Sequence, residues 1–376
     1  MAAGWRETAE ELAAKLRADA AERDRAGAAP TEEVELLRRS GLLEALAEEG
    51  WAAANTVTRI VAAADASVGH LLGYHYLQLW RCGLFGKPEL AEHSRFWAGV
   101  SNPLDAALEL TPTETGFLVD GRKTFATGAA VADRLVVSGT RADTGEKLTF
   151  VTDARAPGIS YPGDWDNIGQ RLTASGGVVF DRVAVAAADV LGDQPEGDVE
   201  PRALRLSLAA LGFQLMLSQV YVGLAEGALA EGAAYTRDRT RPWILSEVDT
   251  ATADPYILAG YGELVAHAEA ARLLTDRAAE ALGEADAAGL ELTAEHRAAA
   301  AVAVSAAKVV ATRVVNETTA RVFEFVGARA TASKYGFDRF WRNARTLTLH
   351  DPVAYKAREV GARFLTGARP PITGYS

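Results

Sequence analysis

The sequence predicts a mainly helical protein with a central β domain, because one β-rich region separates two regions of helical periodicity. Residues 1–95 and 196–376 carry apolar side chains at the three- and four-residue spacing of helices that bury one face. Residues 96–195 instead carry short runs of β-branched and aromatic residues bounded by Gly, Asp and Thr. We therefore expect an N-terminal helical domain, a central antiparallel β domain and a C-terminal four-helix bundle with a tail.

The N-terminal domain is expected to contain several helices. The run WRETAEELAAKLRADAAERDRAG ends at Gly27, and a second helix is expected to begin at Thr31, after Pro30. The run NTVTRIVAAADASVGHLLGYHYLQLWRCG has the pattern of one long helix that ends at Gly83, or of two helices broken near residues 66–69.

The central domain is expected to be an antiparallel sandwich or barrel. The segment GFLVDGRKTFATG holds two apolar runs around Asp120–Gly121, a dipeptide that is a strong hairpin-turn signal. Further β-rich runs are DRLVVSGT, KLTFVTD and GGVVFDRVAV. Strands spaced so closely favour antiparallel pairing over βαβ units.

The C-terminal region is expected to form four helices with short connections, which is typical of an antiparallel four-helix bundle. Asp254–Pro255 is a helix-start signal, with Asp as the N-cap and Pro at the first helical position. The helices are expected at about residues 203–238, 255–284, 294–327 and 352–365.

Composition and charge exclude several classes of protein. The net charge of −11, from 50 acidic and 39 basic residues, argues against nucleic-acid binding, which normally needs a basic face. Cys82 is the single cysteine, so we expect no disulfide framework and a reducing compartment, the cytoplasm. The charged N-terminus lacks the apolar region of a signal peptide. Polar residues interrupt the apolar run 204–229, which predicts a buried helix and no membrane span.

Common cofactor and metal motifs are absent from the sequence. No G-x-G-x-x-G follows a strand, so no standard nicotinamide-dinucleotide site is expected. Neither a Walker A motif nor G-x-S-x-G occurs. His70 and His75 are five residues apart, which does not place them on one helix face, so no metal site is expected.

One histidine occupies a position that favours proton transfer. Asp351–Pro352 repeats the helix-start signal, so His350 is expected just before the last helix, with Asp351 as its N-cap. A histidine there can accept or donate a proton near pH 7. The alternative is that His350 only packs and forms hydrogen bonds at a helix junction.

The order of the three domains resembles the acyl-CoA dehydrogenase superfamily over nearly the whole chain. The segment GRKTFATGAAVADRLVV is similar to the strand whose Trp-Ile-Thr-like triplet lies along the isoalloxazine ring, here Phe125, Ala126 and Thr127. SNPLD, with Asn102, takes the place of a flavin-contacting loop. YTRDRTRPW resembles an arginine element that reaches the flavin phosphate across a subunit interface, and Arg239 is its best match.

Two departures from the dehydrogenase pattern concern the base and the flavin. The glutamate that removes the α-proton in many dehydrogenases corresponds to His350. The Gly-rich element near the adenine end of FAD is altered to FEFVGARATASKYG, with Arg329 in its middle. An arginine there suits a terminal phosphate and therefore FMN, although FAD stays possible.

These departures resemble the flavin-dependent monooxygenase branch of the same fold, typified by dibenzothiophene monooxygenase. That branch shares RFWRNARTLTLHDP and a Pro-Pro-Gly-rich tail. It also carries a His-x-x-x-Tyr pair, here His70 and Tyr74, whose spacing puts both residues on one helix face. The resemblance implies that a set of polar residues surrounds the reactive edge of the flavin. The set is His70, Tyr74, Asn102, Thr127 and His350.

Two further positions bear on this resemblance. Trp165 precedes GQRLTASGG, which resembles a loop near the flavin, so we expect it to contact the cofactor. Leu347 replaces a histidine found in some members of the branch, which leaves the substrate open.

The implied reaction needs reduced FMN from a separate NAD(P)H:flavin reductase. Reduced flavin would react with O2 to a C4a-(hydro)peroxyflavin, which transfers one oxygen atom to sulfur, nitrogen or an aromatic carbon of a small organic substrate. His350 and Thr127 would hold or protonate the peroxide, while His70 and Tyr74 would orient the substrate or the flavin. Asn102 would contact the flavin or its peroxide. The family usually forms homotetramers, and we expect the same here.

Two other functions stay open at this stage. One is an FAD-dependent acyl-CoA dehydrogenase that uses a bundle carboxylate, with Glu226, Glu263 or Glu324 as the available candidates. The other is a non-catalytic flavin-binding or scaffold subunit. Tyr74 also has the alternative of a plain core residue, because aromatic side chains facing a bundle are usually buried.

Overall fold

The computed structural model describes residues 4–195, 197 and 199–376 of the chain. The predicted division at 95/96 and 195/196 stays a prediction, and Glu196, at the second boundary, lies outside the described residues. The observed strands fall between Trp97 and Asp193, and the first bundle helix begins at Pro201.

Four α-helices precede the sheet in the described part of the chain, where the sequence left three or four open. Their bounds are α1 Trp5–Ala26, α2 Thr31–Ser40, α3 Ala45–Ala64 and α4 Ala66–Leu84. The long apolar run that ends at Gly83 forms two helices, α3 and α4, which is the second of the two predicted alternatives. Asp65 causes the break, because its extended backbone ends α3 and its side chain accepts hydrogen bonds from Ser67 N and Val68 N at the start of α4.

The strands form one eight-stranded sheet. Their bounds are β1 Trp97–Val100, β2 Glu109–Pro112, β3 Gly116–Lys123, β4 Arg134–Arg141, β5 Lys147–Asp153, β6 Ile159–Ser160, β7 Val178–Ala186 and β8 Val190–Asp193. The order is β6-β7-β3-β2-β4-β5-β8, and β1 also pairs with β4. Pairing is antiparallel except between β4 and its neighbours β1 and β2.

The hairpin predicted at Asp120–Gly121 is wrong. β3 continues through both residues, and the turn instead connects β2 to β3 at residues 113–115. Asp120 accepts a hydrogen bond from Arg182 N at 2.8 Å on the neighbouring strand β7. Gly121, with a φ of +129°, lies at a register shift between β3 and β7. The dipeptide therefore forms a bulge, which needs the same backbone freedom as a turn.

The C-terminal helices agree with the predicted runs, with one addition. Their bounds are α5 Pro201–Arg239, α6 Pro255–Ala287, α7 Ala294–Val326, α8 Asp338–Leu347 and α9 Val353–Thr366. The short α8 was not predicted, and α9 is much shorter than the other members of the bundle. Helices α5 and α7 are apolar enough to span a membrane, but the most apolar window of α5 is 83% buried inside the protein, as in a core helix.

Close helix contact holds the N-terminal helices on the bundle. A Cβ atom on Gly227 of α5 would lie 2.1 Å from the Ala63 carbonyl oxygen of α3. A Cβ on Gly223 would lie 2.4 Å from the Arg59 carbonyl oxygen, one turn earlier on both helices. These two glycines let α5 and α3 approach to backbone contact, and α4 is thereby packed between the sheet and the bundle.

We predict that Gly227→Ala lowers the free energy of unfolding by about 1–3 kcal/mol, because the added methyl forces α3 and α5 apart. The matched control is Gly283→Ala on α6, where the added Cβ meets open space. Alanine should stabilise the helix there by up to about 1 kcal/mol. Urea denaturation followed by circular dichroism measures the free energy of unfolding of both variants. Equal stabilities of the two variants would show that the close contact is not needed.

Candidate active site

Helix α4 carries two polar aromatic side chains on the face towards the bundle. His70 and Tyr74 are one turn apart, and their ring centres are 4.3 Å apart in an edge-to-face arrangement. The Tyr74 ring also makes an edge contact with Phe213 of α5 at 5.1 Å. The predicted common face of His70 and Tyr74 is thus present in the fold. Burial, followed by the charges of Asp351 and Tyr375, raises the pKa of Tyr74 above its ordinary value.

His75 points to the other side of α4 and has a structural role. Its Nε2 donates to the Leu43 carbonyl oxygen at 3.0 Å, and its Nδ1 accepts from Trp97 N at 3.1 Å. Burial lowers the pKa of His75 to about 4, so the ring stays neutral at pH 7. Both ring nitrogens are engaged, which leaves none for a metal or a substrate.

Gln170 connects three parts of the chain to His70. Its Oε1 lies 3.2 Å from His70 Nδ1, and its backbone N–H donates to Asn343 Oδ1 of α8 at 2.6 Å. The Gln170 carbonyl accepts hydrogen bonds from Trp165 Nε1 and Thr173 Oγ1, both at 2.8 Å. Because an amide oxygen can only accept, the His70 proton lies on Nδ1, and the Nε2 lone pair is left free.

A chain of hydroxyl groups continues this network to Thr127. Thr173 Oγ1 is 2.7 Å from Ser175 Oγ, which is 2.9 Å from Thr127 Oγ1. All three side chains are buried. The structure therefore brings His70, Trp165 and Thr127 together through one loop, residues 169–176.

Phe125 lies at the open side of this network. Its side chain is 65% exposed, and its ring contacts the edge of Trp165 with centres 6.1 Å apart. Phe125, Gln170 and Ala174 all have positive φ, at 54°, 54° and 44°, which is unfavourable for residues other than glycine. Such strain concentrates where a binding site fixes the backbone.

Asn102 contacts Thr124, the residue that precedes Phe125 in the chain. Its Nδ2 donates to Thr124 Oγ1 at 3.3 Å, and its Oδ1 accepts from Leu104 N at 3.1 Å. Asp105, in the same loop, accepts from Thr124 N at 2.5 Å. The loop is thus tied to the backbone next to Phe125, and Asn102 forms part of that connection.

His350 is hydrogen-bonded to a buried ion pair, and the expected N-cap role of Asp351 is wrong. Helix α9 begins at Val353 without a side-chain cap. The Asp351 carboxylate instead accepts from His350 Nδ1 at 3.0 Å and forms an ion pair with Lys308 Nζ of α7 at 3.3 Å. Lys308 is 1% exposed, and a buried ammonium attracts a nearby carboxylate more strongly than the α9 N–H groups do.

The Asp351–Lys308 pair fixes the charges around His350. Burial alone would raise the pKa of Asp351, but the His350 hydrogen bond and the Lys308 charge outweigh it and hold the pKa well below its usual range. Burial lowers the pKa of Lys308 to about 8, although Asp351 opposes this. The ammonium also lies 4.9 Å from the centre of the Tyr221 ring, a favourable cation–π distance. Because Asp351 can only accept, the His350 proton lies on Nδ1 and its Nε2 is available.

The two halves of the site act on each other. Burial lowers the pKa of His70 to about 3, and the charges of His350 and Lys308 lower it further, while the Gln170 hydrogen bond opposes them. Among the described residues, His70 Nε2 and Gln170 Nε2 are buried without hydrogen-bond partners. One is an acceptor and the other a donor. They are complementary to a ligand edge that carries one donor and one acceptor, as a flavin does.

Arg239 and Arg329 lie together elsewhere, near the end of α5. The Arg239 guanidinium lies 5.6 Å from the centre of the Tyr335 ring. Burial raises the pKa of Tyr235, and the charges of Arg329 and Arg239 both oppose that rise, which places both arginines near Tyr235. Both are exposed, and no contact joins them to the His70 network within the described part of this chain.

The three glutamates considered as dehydrogenase bases are paired with arginines. Glu226 lies 4.0 Å from Arg59 Nε. Glu263 and Glu324 lie 2.9 Å and 3.6 Å from nitrogens of Arg321. The carboxylate that does lie beside His350 is Asp351, whose lowered pKa makes it a poor base.

One group of side chains has the spacing of a metal site. Ligand atoms of Glu263, His267 and Glu317 lie within 4.8 Å of one another on the bundle surface. Arg321 donates to both glutamates, at 2.9 Å and 2.7 Å, and so supplies the positive charge that a metal would bring. Within the described residues, no contact joins this group to the His70 network.

Sequence reasoning missed Gln170, Ser175 and Lys308. Gln170 and Ser175 lie in GQRLTASGG, which was singled out only for its likeness to a flavin loop, and the polar residues within it were the available signal. Lys308 is the one charged residue between Arg297 and Arg313 in an Ala- and Val-rich helix, and a lone charge on such an apolar stretch requires a buried partner.

The comparisons with known proteins agree in both sequence and structure. A family model for the C-terminal domain of acyl-CoA dehydrogenases matches residues 215–355. The chain is 40% identical to dibenzothiophene monooxygenase of Rhodococcus erythropolis, over 97% of this chain and 94% of that protein. It is 38% identical to the probable FMNH2-dependent monooxygenase SfnC of Pseudomonas putida, over 98% and 96%.

Solved structures extend the likeness to the whole fold. The complex of TdsC from Paenibacillus sp. A11-2 with FMN and indole superposes with a TM-score of 0.91 at 37% identity. The match covers 100% of this chain and 100% of that chain. The predicted fold class is confirmed by these similarities.

We predict that His70 destabilises the folded protein in mild acid. Its folded pKa of about 3 lies below the ordinary 6.5, so the unfolded chain binds more protons between these values. Stability is therefore unaffected above pH 6.5 and falls below it, by about 2 kcal/mol between pH 6.5 and pH 5. His70→Asn should remove this part of the acid loss.

Urea denaturation from pH 7.5 to pH 5 measures the effect. His267→Asn, at an exposed histidine, is the control and should keep the wild-type slope. A wild-type slope in His70→Asn would mean that His70 titrates normally in the folded protein.

Proposed function

The chain belongs to the flavin-dependent monooxygenases of the dibenzothiophene monooxygenase family, and from this premise we propose that it transfers one atom of O2 to a small organic substrate. The proposed cofactor is reduced FMN, and the proposed reaction is oxidation at sulfur, nitrogen or an aromatic carbon. The relatives support both: SfnC is named as a probable FMNH2-dependent monooxygenase, TdsC is solved with FMN and indole, and a third relative is a dibenzothiophene monooxygenase.

The observation that carries the proposal is the buried donor and acceptor pair beside the exposed Phe125. His70 Nε2 and Gln170 Nε2 lack partners among the described residues, which costs folding free energy unless a ligand satisfies them. Phe125 and Trp165 add an aromatic surface, and Thr127 adds a hydroxyl on the same loop network. Flat heteroaromatic ligands need such a combination of apolar faces and polar edges.

We assign the ring system of FMN and its phosphate group to two separate sets of residues. Phe125, Thr127, Trp165 and Asn102 would hold the ring system. Arg239 and Arg329 would bind the phosphate of a flavin held mainly by a second subunit, since in this chain they lie apart from the ring site. Exposed Phe125 and the exposed apolar residues 243–245 support an assembly in which such surfaces are covered. We propose a homotetramer.

Reduced FMN supplies the two electrons that reduce O2, so that one oxygen atom enters the substrate and the other leaves as water. His350 Nε2 and the Thr127 hydroxyl would hold the proton that the departing oxygen needs. His70, kept neutral by burial, and Tyr74 would orient the substrate or the flavin. The hydrogen bond from His350 Nδ1 to Asp351, which is itself paired with Lys308, fixes the orientation of the His350 ring.

A second protein is part of the proposal. The sequence shows no nicotinamide-dinucleotide motif, so a separate NAD(P)H:flavin reductase would deliver reduced FMN. The dependence of SfnC on FMNH2 supports this arrangement. We place the reaction in the cytoplasm, because the single cysteine, Cys82, is buried and free.

Turnover with isotopic oxygen tests the function. Purified protein is mixed anaerobically with photoreduced FMN and dibenzothiophene or indole, then exposed to ¹⁸O2, and products are measured by mass spectrometry. We expect one ¹⁸O atom per product molecule. Oxidation of acyl-CoA with an artificial acceptor, and no labelled product, would overturn the proposal in favour of a dehydrogenase.

The same assay tests His350. We predict that His350→Ala still oxidises reduced FMN but forms less product per flavin by about tenfold or more, with a matching rise in H2O2. His267→Ala, at an exposed histidine outside the network, should keep the wild-type product yield. An unchanged yield in His350→Ala would remove His350 from the chemistry.

Binding of two flavins tests Arg239. We predict that Arg239→Ala weakens FMN binding about 10- to 100-fold and leaves riboflavin binding unchanged, because riboflavin has no phosphate. Isothermal titration calorimetry measures both dissociation constants. The control is Arg237→Ala, an exposed arginine on the same last helical turn. Equal losses for both flavins would assign Arg239 a structural role.

A further inference from the structure

The segment after α9, residues 367–376, folds back onto the bundle and is anchored there. Lys356 Nζ donates to the Tyr375 carbonyl oxygen at 2.6 Å. Lys356 is 3% exposed, and both oxygens of Glu359 lie 3.2 Å from its ammonium group. Ser305 of α7 donates to Glu359 Oε2 at 2.7 Å. A buried ion pair on α9 therefore fixes the backbone of Tyr375.

A second contact joins the segment to the β domain. A Cβ on Gly374 would lie 3.4 Å from Pro103, in the loop that carries Asn102 and Asp105. Burial raises the pKa of Tyr375, and the charges of Asp351 and Asp105 raise it further. Tyr375 and the preceding Gly374 therefore lie between α9 of the bundle and the β-domain loop.

The Tyr375 side chain faces the candidate active site. Its ring lies edge-on to His350, with ring centres 5.9 Å apart and planes at 70°. Its charge also acts on Tyr74, whose pKa it helps to raise after burial and Asp351. Tyr375 thus lies against His350, and none of the roles assigned above uses it.

We propose that Tyr375 forms the wall of the pocket over His350 and limits the size of the substrate, and that Lys356 is the positioning residue for this wall. The part of this proposal that concerns substrate size rests on the proposed monooxygenase function. The part that concerns the covering of His350 is independent of that function. A tyrosine suits this place because its ring closes the apolar side, while its hydroxyl remains at the polar rim.

The anchoring explains why a charge is buried on α9. An ion pair as buried as Lys356–Glu359 contributes little net stability against a pair of apolar residues. It does supply a directed donor for one carbonyl group, that of Tyr375. Two fixed points, at Tyr375 and at Gly374, hold the ring in one position.

Chemical modification of His350 tests the wall without flavin or substrate. The full-length protein is treated with diethylpyrocarbonate at pH 7, and modification rates are read from peptide masses. In Tyr375→Ala the rate at His350 should rise about threefold, as its exposed fraction goes from 37% towards complete exposure. His267, exposed in the same sample, is the internal reference and should not change. An unchanged rate at His350 overturns the proposal.

Two further variants separate the ring from the hydroxyl and from its anchor. Tyr375→Phe should keep the wild-type rate at His350, since the ring remains. Lys356→Met should raise the rate as Tyr375→Ala does, and should speed hydrogen exchange in residues 370–376. The double variant Lys356→Met, Glu359→Gln leaves no unpaired buried charge, so it keeps the test valid if the single variant fails to fold. Wild-type exchange in the double variant overturns the role of Lys356.

Kinetics with a small and a large aromatic substrate test the size limit. Tyr375→Ala should lower KM for dibenzothiophene relative to that for indole by about tenfold, because the larger ring system then fits. An unchanged ratio overturns the size limit even if His350 becomes more reactive. If the wild-type protein oxidises neither compound, the monooxygenase proposal fails, while the modification rates still decide whether Tyr375 covers His350.

Discussion

The pocket depends on the hydrogen bonds of Gln170. Its side chain holds His70, its N–H binds Asn343 and its carbonyl accepts from Trp165 and Thr173. A Cβ on the preceding Gly169 would lie 2.1 Å from the Arg342 carbonyl oxygen, so the loop lies directly against α8. Removing these bonds would free the loop that carries Ser175 and separate Thr127 from His70.

A second constraint is charge. Burying Lys308 and Asp351 together costs less than burying either alone, because each compensates the other in a medium of low dielectric. The site then contains the His70 imidazole, which burial keeps neutral, and no carboxylate available as a base, because the pKa of Asp351 is held well below its usual range. That environment suits oxygen transfer, in which protons must be held close and water kept out. It does not suit removal of an α-proton, which needs a carboxylate of ordinary or raised pKa.

The elements of the fold were largely predictable from local patterns. Helix starts at Asp254–Pro255 and the end of α1 at Gly27 follow from capping, which involves neighbours in sequence. The same reasoning failed at Asp120–Gly121 and at Asp351–Pro352. In both places a local signal has two structural uses, and a distant residue decided between them: Arg182 for the bulge and Lys308 for the carboxylate.

The sequence by itself determined the order of helices and strands, the common face of His70 and Tyr74 and the position of His350 ahead of the last helix. Periodicity and helix-start residues act over a few positions, so the chain encodes them locally. Only the tertiary structure decided which distant residues complete the pocket. Gln170, Lys308 and Tyr375 reach it from a loop, a bundle helix and the segment after α9. Their roles depend on packing between domains, because a buried donor or charge takes whichever partner the fold brings within a few ångströms.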